Sequence, residues 1–295
     1  MDKQNAFENK KQTLIMRRLI INADDLGISL DVDTQIEKCI QQGVVTSSTL
    51  MANAPAFDDG VRIAKQYPHI SVGVHLNVIE FAPLTNSDIF KKHGILDYEG
   101  NFIEGAIFCV KIDEELRQAV FEEWDAQITK IENTGLFPTH CDSHQHTHTI
   151  PSLREPLYKV ANKHGIKRVR RKVIPNIRIM LRQKRHPIVK LDKSKAMVPQ
   201  KRNVFYRRFH IFAVIRACRK WNNLLGEQFN ITDGFFPFND FYFDRKILNM
   251  GGKNAVVELM CHPGHKAYQN ESDNLMNKQL WYKPEKYKLI SYKEL

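Results

Sequence analysis

Residues 18–27 read Arg-Leu-Ile-Ile-Asn-Ala-Asp-Asp-Leu-Gly, an apolar run that stops at two adjacent carboxylates, Asp24 and Asp25. Neighbouring residues of a strand point to opposite faces, so both carboxylates can share one site only where the strand ends and the chain turns. Gly27 gives the backbone freedom for that turn. Crowded carboxylates repel each other unless a cation lies between them. The stretch therefore predicts a strand with a polar site at its carboxyl end. A helix amino-cap is the alternative interpretation, although Ser29 is better placed to cap the helix that follows.

The same pattern, an apolar strand followed by an imidazole, recurs further along the chain. His75 closes one such strand, His262 follows another, and residues 139–148 read Thr-His-Cys-Asp-Ser-His-Gln-His-Thr-His. Neutral imidazole is a leading ligand of transition metals and carries protons near pH 7, so the last run indicates a metal or catalytic site. His75 alone would more often be an ordinary buried histidine. Parallel α/β sheets, however, gather their chemistry at the carboxyl ends of their strands.

Strand and helix patterns alternate along the chain. Strands are predicted at 18–23, 44–51, 70–76, 137–144, 166–173 and 255–261, and helices at 30–42, 55–66, 113–133, 152–164, 210–225 and 271–280. This alternation indicates a parallel sheet, and the number of units favours an α/β barrel with its active site at the carboxyl ends of the strands. Ser152 and Glu155 predict a capping box at one helix start. Residues 78–111 show little periodicity and are predicted to form a long loop.

These motifs, in this order, resemble the YdjC-like carbohydrate deacetylase family, whose characterised members include chitooligosaccharide deacetylases. The similarity spans roughly residues 17–290 and is weakest across a basic stretch described below. The resemblance implies an irregular (β/α) barrel with mostly parallel strands. The segments that carry it are 22–27, 43–49, 73–76, 138–148 and 260–264.

The resemblance also implies roles for individual residues. It implies a divalent metal ion held by Asp25, His75 and His144, with Asp24 as the general base. It makes His262 a candidate for the general acid. The family has a further histidine where this chain has Gln145, which leaves the ligand His144 intact but changes its surroundings.

Chemistry argued from the residues alone agrees with this assignment. One carboxylate and two imidazoles leave open coordination positions, which a catalytic metal needs. Hydrolysis of an acetamide requires an activated water and a proton for the departing amine, and a carboxylate beside the metal ligands can accept the proton of the water. Asp142, His146 and His148 are expected to orient the ligands. The predicted function is a metal-dependent hydrolase that removes the N-acetyl group of an amino sugar or oligosaccharide. Mg²⁺ is the expected ion, with Zn²⁺ and Mn²⁺ as alternatives.

Two other functions stay open on the sequence. A non-haem iron enzyme uses the same set of one Asp and two His, but that class prefers an antiparallel β-sandwich. A non-catalytic protein that binds carbohydrate or an anionic surface is the second alternative. The adjacent Asp24 and Asp25 argue against it, because a binding module does not need a base beside a metal ligand.

Composition sets the domain organisation. With 295 residues, 42% of them hydrophobic, the chain can bury one sizeable α/β core. Residues 1–16 are predicted to be a polar extension and 17–295 a single domain. The polar start and the lack of an eighteen-residue apolar stretch predict neither a secretory signal nor a membrane span. Five scattered cysteines suit a reducing cytoplasm, which is the expected location.

Charge is concentrated in one segment. Residues 167–220 hold nineteen Lys or Arg against one acid, Asp192, and so carry +18, whereas the whole chain carries +11. A solvated surface is one interpretation of this basic segment. The other is contact with an anionic membrane surface or an acidic glycan, which we favour over nucleic acid. The oligomeric state stays open, with a homodimer among the possibilities.

Overall fold

The computed structural model describes residues 16–86, 88–174, 211–245, 247–248, 255–268 and 270–295. The predicted polar extension, apart from residue 16, lies outside the described residues, and so do residues 175–210 of the basic segment. The predictions made for those parts therefore stay predictions. Among the described residues, no helix combines the length and the apolar character that a membrane span requires.

A twisted sheet of parallel strands forms the centre of the fold. Its described strands are β1 (Arg17–Leu26), β2 (Ser47–Leu50), β3 (Ser71–Leu76), β4 (Cys141–Ser143), β5 (Gly234–Pro237), β6 (Val256–Cys261) and β7 (Tyr287–Leu289). Their order is β4-β3-β2-β1-β6-β5, and β7 pairs with the first residues of β1. β1 is central, and its residues 19–26 are buried, as expected for a strand covered on both faces. The predicted α/β class with parallel strands is confirmed.

The two edge strands of the sheet, β4 and β5, are connected through isolated bridges. These bridges close the sheet irregularly into a ring of strands. Cys141 forms a parallel bridge with Val169, and Arg168 forms one with Asn230, four residues before β5. The strand predicted at 166–173 is thus reduced to two isolated bridges. Beyond these bridges the side chain of Asn222 binds the backbone N–H and carbonyl of Lys172, at 2.7 and 3.0 Å.

Helices surround the sheet. The described ones are α1 (Leu30–Gln41), α2 (Phe57–Gln66), α3 (Asp88–Lys92), α4 (Glu114–Glu132), α5 (Arg154–Lys163), α6 (Ile211–Gly226), α7 (Phe238–Phe243), α8 (Glu271–Met276) and α9 (Lys278–Trp281). The predicted helix 271–280 is divided into α8 and α9 at Asn277. The predicted loop 78–111 contains α3, whose Phe90 is buried.

Two predictions about helix starts had opposite outcomes. Ser29 caps α1 as predicted, because its Oγ accepts a hydrogen bond from the N–H of Val32. The capping box at Ser152 and Glu155 is wrong, since α5 begins only at Arg154. The proline before Ser152 starts a 3₁₀ turn over 151–153, and Glu155 instead forms an ion pair with Lys159 one turn along the helix.

The apolar core lies between the sheet and its helices. α4 illustrates it: its apolar residues at helical spacing are fully buried, at Leu116, Val120, Trp124, Ile128 and Ile131. Burial of each such side chain contributes about 1.5–3 kcal/mol relative to exposure. Several charged groups are equally buried between the strands, and these form the site described next.

Candidate metal centre

Three side chains distant in sequence converge at one point. An oxygen of Asp25, Oδ1, lies 3.2 Å from Nε2 of His75 and 2.9 Å from Nδ1 of His144. One ligand atom from each residue falls within 4.8 Å of the others, and all three residues are buried. The structure therefore brings together the three residues that the resemblance implied as ligands.

A bulge in β1 lets adjacent carboxylates share this region. Asp25 adopts the left-handed backbone conformation, with φ of 69°, and the register between β1 and β2 shifts between Ala23 and Leu26. This irregularity breaks the strict alternation of strand side chains. Gly27, with φ of 88°, then completes the turn, as the sequence predicted.

The two histidines come from neighbouring strands. His75 is the penultimate residue of β3, and His144 is the first residue after β4, so both lie at the carboxyl ends. Gln145 and His146 follow in the left-handed conformation, with φ of 49° and 58°. These two residues turn the chain sharply away from the ligand position.

The carboxylates around His75 and His144 stabilise positive charge on the two rings. Burial alone would lower the pKa of His75, but the carboxylates of Asp142 and Asp25 outweigh it and raise that pKa to about 10. Burial also opposes protonation of His144, whose pKa Asp25 nevertheless raises to about 9. Both rings thus bind protons at neutral pH unless another cation replaces them. One carboxylate and two imidazoles fit a divalent metal ion, which would supply that charge.

Asp142 fixes the orientation of His75. Its Oδ1 accepts a 2.7 Å hydrogen bond from Nδ1 of His75, which leaves Nε2 directed at Asp25. The other oxygen of Asp142 contacts the hydroxyl of Thr49 at 3.2 Å and a nitrogen of Arg170 at 2.7 Å. A carboxylate behind a histidine is the usual arrangement around protein-bound metals.

Asp24 belongs to a different contact, which the sequence did not predict. Two nitrogens of Arg170 donate to its two oxygens at 2.6 Å each, and Asn22 Nδ2 adds a bond of 2.8 Å. Burial alone would raise the pKa of Asp24, but the charge and hydrogen bonds of Arg170 overcome this and hold that pKa well below its usual range. The carboxylate is therefore ionised at neutral pH.

His262 lies on the other side of Asp24. Its Nε2 is 3.9 Å from Oδ2 of Asp24, and its ring stacks on Tyr268 with 4.2 Å between centroids. Glu271 accepts a 2.6 Å hydrogen bond from the backbone N–H of His262. Burial lowers the pKa of His262, against the attraction of Asp24, so the ring is neutral at neutral pH.

His146 and His148 contact residues other than the three of the cluster. His148 bonds through Nδ1 to the hydroxyl of Ser143 at 2.6 Å and through Nε2 to the backbone carbonyl of Arg170 at 3.0 Å. The ring of His146 packs edge-on against Phe235, with 5.6 Å between centroids. His148 thus connects β4 to the segment that carries Arg170, whereas His146 packs on β5.

A cavity of about 510 Å³ opens beside His146. Apolar side chains such as Ile107 and Phe108 line it together with Lys111 and Lys172. It therefore offers both an apolar wall and hydrogen-bond donors next to Gln145 and His146, the two residues that follow His144 in the chain.

The two cysteines beside the site are not ligands of the cluster. Cys141 and Cys261 are fully buried, and each sulfur contacts a backbone carbonyl, at 3.6 and 3.3 Å. Burial raises the pKa of both thiols well above the ordinary value, so they stay protonated. Both cysteines therefore pack as small apolar side chains of the core.

The fold and the site define an α/β protein of parallel strands that carries an Asp/His/His cluster at their carboxyl ends. The sequence profile of the YdjC-like protein family matches residues 18–288, so the chain belongs to this family.

Known relatives agree with this membership. A carbohydrate deacetylase of Clostridium beijerinckii is 35% identical over 153 residues, which cover 50% of this chain and 58% of the relative. One of Vibrio cholerae is 36% identical over 149 residues, covering 50% of this chain and 57% of the relative. The matched part thus spans less than two thirds of each relative. The crystal structure of an Enterococcus faecalis protein assigned to cellobiose-phosphate cleavage superposes with a TM-score of 0.67 at 22% identity, over 95% of this chain and 98% of that one. This last similarity supports the fold.

Proposed function

We propose that the protein is a metal-dependent hydrolase that removes the N-acetyl group from an amino sugar. The observation that carries the proposal is the convergence of Asp25, His75 and His144, with the ionised carboxylate of Asp24 alongside. The carbohydrate deacetylase relatives supply the reaction class. The parallel sheet also disfavours the non-haem iron alternative, whose usual scaffold is antiparallel.

In this proposal Asp25, His75 and His144 hold the ion. A bound divalent ion supplies Lewis acidity, which polarises the acetamide carbonyl and makes a water molecule more acidic. Mg²⁺ is the proposed ion, and Zn²⁺ and Mn²⁺ compete for the role because two imidazoles suit them well. Asp142 keeps His75 in the tautomer that presents Nε2 to the ion.

Protons move between Asp24 and His262 in the proposed reaction. Asp24 is ionised, so one of its oxygens can accept the proton of the attacking water. His262 is neutral at rest and acts as an acid only after it has taken up a proton. The 3.9 Å between Asp24 Oδ2 and His262 Nε2 makes Asp24 the natural source of that proton. His262 then delivers it to the departing sugar nitrogen.

The substrate in this proposal is an N-acetylated sugar whose acetamide reaches the cluster. The adjacent cavity, with Phe108 in its wall, accommodates the rest of the sugar or a further unit of an oligosaccharide. An aromatic side chain beside a sugar ring provides apolar contact, and the lysine ammonium groups donate hydrogen bonds to hydroxyls.

Acetate release is the decisive measurement. Protein stripped of metal by chelation is supplied in turn with Mg²⁺, Zn²⁺, Mn²⁺ and Fe²⁺ and given a panel of N-acetylglucosamine oligomers and lipid-linked N-acetylated amino sugars. We expect release of acetate that requires a divalent ion and is abolished in the His144→Gln variant. The exposed His69, changed to Gln, is the matched control and should leave the rate unchanged. Tight sugar binding without acetate release under any of these ions would favour a binding protein instead.

A further inference from the structure

Fully buried polar side chains connect Arg170 to the last residues of the chain. Nε of Arg170 donates to Oε1 of Glu258 at 2.7 Å, and the hydroxyl of Tyr292 donates to the other oxygen of Glu258. All three side chains are 0% exposed. Apolar branched residues normally fill the interior of a parallel barrel, so a polar interior of this kind needs an explanation.

Asp24, Arg170, Glu258 and Tyr292 form a row of hydrogen-bonded side chains. Tyr292 lies at the end of this row that is nearer the amino-terminal ends of the strands. It follows β7, which pairs with the first residues of β1, and its ring stacks on His140 with 3.8 Å between centroids. The next residue, Lys293, donates its backbone N–H to Ser71 at the start of β3, at 2.9 Å. Asp24, by contrast, lies near the carboxyl end of β1. The row thus runs through the interior from one end of the strands towards the other.

We infer that Glu258 and Tyr292 are positioning residues, which fix the guanidinium of Arg170 and through it the carboxylate of Asp24. This inference rests on the proposed function, in which Asp24 is the base. A guanidinium is planar, so the direction of its Nε–H bond sets the plane in which the other two nitrogens meet Asp24. Glu258 fixes that direction, and Tyr292 fixes Glu258.

Charge considerations support the same role. Three carboxylates, those of Asp24, Asp142 and Glu258, contact the single guanidinium of Arg170. Burying ions costs several kcal/mol each, and hydrophobic residues of similar volume often give equal stability. A purely structural barrel interior would therefore not need this arrangement. Tyr292 adds a donor without adding charge, because burial raises the pKa of its phenol well above the ordinary value.

The test compares variants that keep or remove the hydrogen bonds of this row. Tyr292→Phe should lower kcat roughly tenfold, since a displacement of about 1 Å at a reacting group can cost 10²-fold and a smaller one is expected here. KM should stay within about twofold and the bound metal should be unchanged, because the ligands and the cavity are untouched. Tyr287→Phe is the matched control: it also removes a hydroxyl from the carboxyl-terminal segment, but its ring contacts Phe241. It should keep wild-type kcat.

Two substitutions of Glu258 separate the effect of its hydrogen bonds on the position of Arg170 from the effect of its negative charge. Glu258→Gln keeps an acceptor for Arg170 and, as an N–H donor, a partner for Tyr292, so it should retain most of kcat. Glu258→Leu removes both bonds and should lose at least as much as Tyr292→Phe. Wild-type kcat in a folded Tyr292→Phe variant, or a loss of kcat that only follows lost metal, would overturn the inference.

A structural measurement keeps the inference separate from the proposed function. If the wild-type protein releases no acetate from any sugar with any ion, the proposed function fails. Crystal structures of the wild type and of Tyr292→Phe then decide the positioning role. We expect the two hydrogen bonds between Arg170 and Asp24 to be lengthened or broken in the variant, and an unchanged pair would refute the role.

Discussion

Arg170 meets Asp24 through two parallel hydrogen bonds of 2.6 Å, and both side chains are buried. This pairing keeps the carboxylate ionised although burial favours its neutral form. It also fixes both oxygens of Asp24, which an isolated carboxylate at a strand end would leave free to rotate. A buried, bidentate pair beside three candidate metal ligands is therefore well suited to hold a base in place.

Replacing Arg170 with Lys tests whether the shape of the cation matters. Lysine keeps the charge but cannot contact two oxygens of Asp24 and also Glu258. We expect kcat to fall roughly 100-fold, in line with misplacement of a reacting group. Loss of buried hydrogen bonds should also lower the free energy of unfolding by about 3–5 kcal/mol. Acetate release and urea denaturation measure the two effects, and an unchanged kcat would contradict the role given to the pair.

Asp24→Asn tests the base directly. The amide keeps the size of the side chain but cannot accept the proton of a water molecule, so acetate release should fall by about 10²–10⁴-fold. The bound metal should be retained, because Asp25 and the two histidines are unchanged. Asp31→Asn, at an exposed position of α1, is the control and should behave as wild type. Loss of metal in Asp24→Asn would instead make Asp24 a ligand.

Metal binding should release protons. In the metal-free protein the pKa values of His75 and His144 are raised to about 10 and about 9, so both rings are charged at pH 7.5. An ion can bind imidazole only in its neutral form, so close to two protons should leave per ion bound. Affinity should therefore weaken as the pH falls. Calorimetric titration in two buffers of different ionisation enthalpy counts the protons, and His144→Gln should release one fewer if it still binds. Binding without proton release would exclude these two ligands.

The sequence was sufficient for most of the fold because each main element carries its own periodic signal. β1 and α4 are examples, with a continuous apolar run in one and an apolar stripe in the other. The family resemblance implied the meeting of Asp25, His75 and His144, and the parallel sheet gives the physical reason for it. Each lies where a strand of a parallel sheet ends, and these ends share one edge.

Arg170 could not be predicted in the same way. It lies among basic residues that have the composition of a solvated surface, and only the closure of the ring by Val169 carries it into the interior. Glu258 did leave a local signal: it is a single acid inside the apolar strand 256–261. Such a residue needs a buried partner. The identity of that partner, however, depends on tertiary contacts that no local pattern contains.

Gly73→Ala should destabilise the protein. A Cβ at Gly73 would lie 2.6 Å from two ring atoms of His140 and from its backbone oxygen. His140 cannot easily move away, since its ring stacks on Tyr292 and bonds to Asn22. The free energy of unfolding should fall by about 1–3 kcal/mol or more, as for other overpacked sites. Gly226→Ala is the control, because the nearest atom there is the mobile tip of Ile231, at 3.3 Å. Equal stability of Gly73→Ala and wild type in urea would show that β3 can shift.

Asp33 should make stability depend on pH. It is fully buried in α1, where one oxygen accepts a 2.7 Å hydrogen bond from the N–H of Gly27 and the other has no hydrogen-bond partner among the described residues. Burial, helped by the nearby charge of Asp59, raises its pKa to about 7. The unfolded chain releases this proton near pH 4, so the folded state binds more protons between about pH 4 and pH 7. The contribution to stability is complete below that window, is lost progressively as the pH rises across it, and is gone once the pH has passed the folded pKa of about 7.

Asp33→Asn removes the titration and isolates this contribution. The amide cannot ionise, so its stability relative to wild type should improve as the pH rises from 5 to 8, by about 1–3 kcal/mol. Urea unfolding in the presence of a chelator at both pH values measures the difference. Glu258 and Glu271, whose pKa values burial also raises to about 7, titrate in both proteins and cancel in the comparison. A difference that does not change with pH would show that Asp33 stays ionised in the folded protein. Helix α1 would then contain a buried charge that accepts a hydrogen bond from the N–H of Gly27.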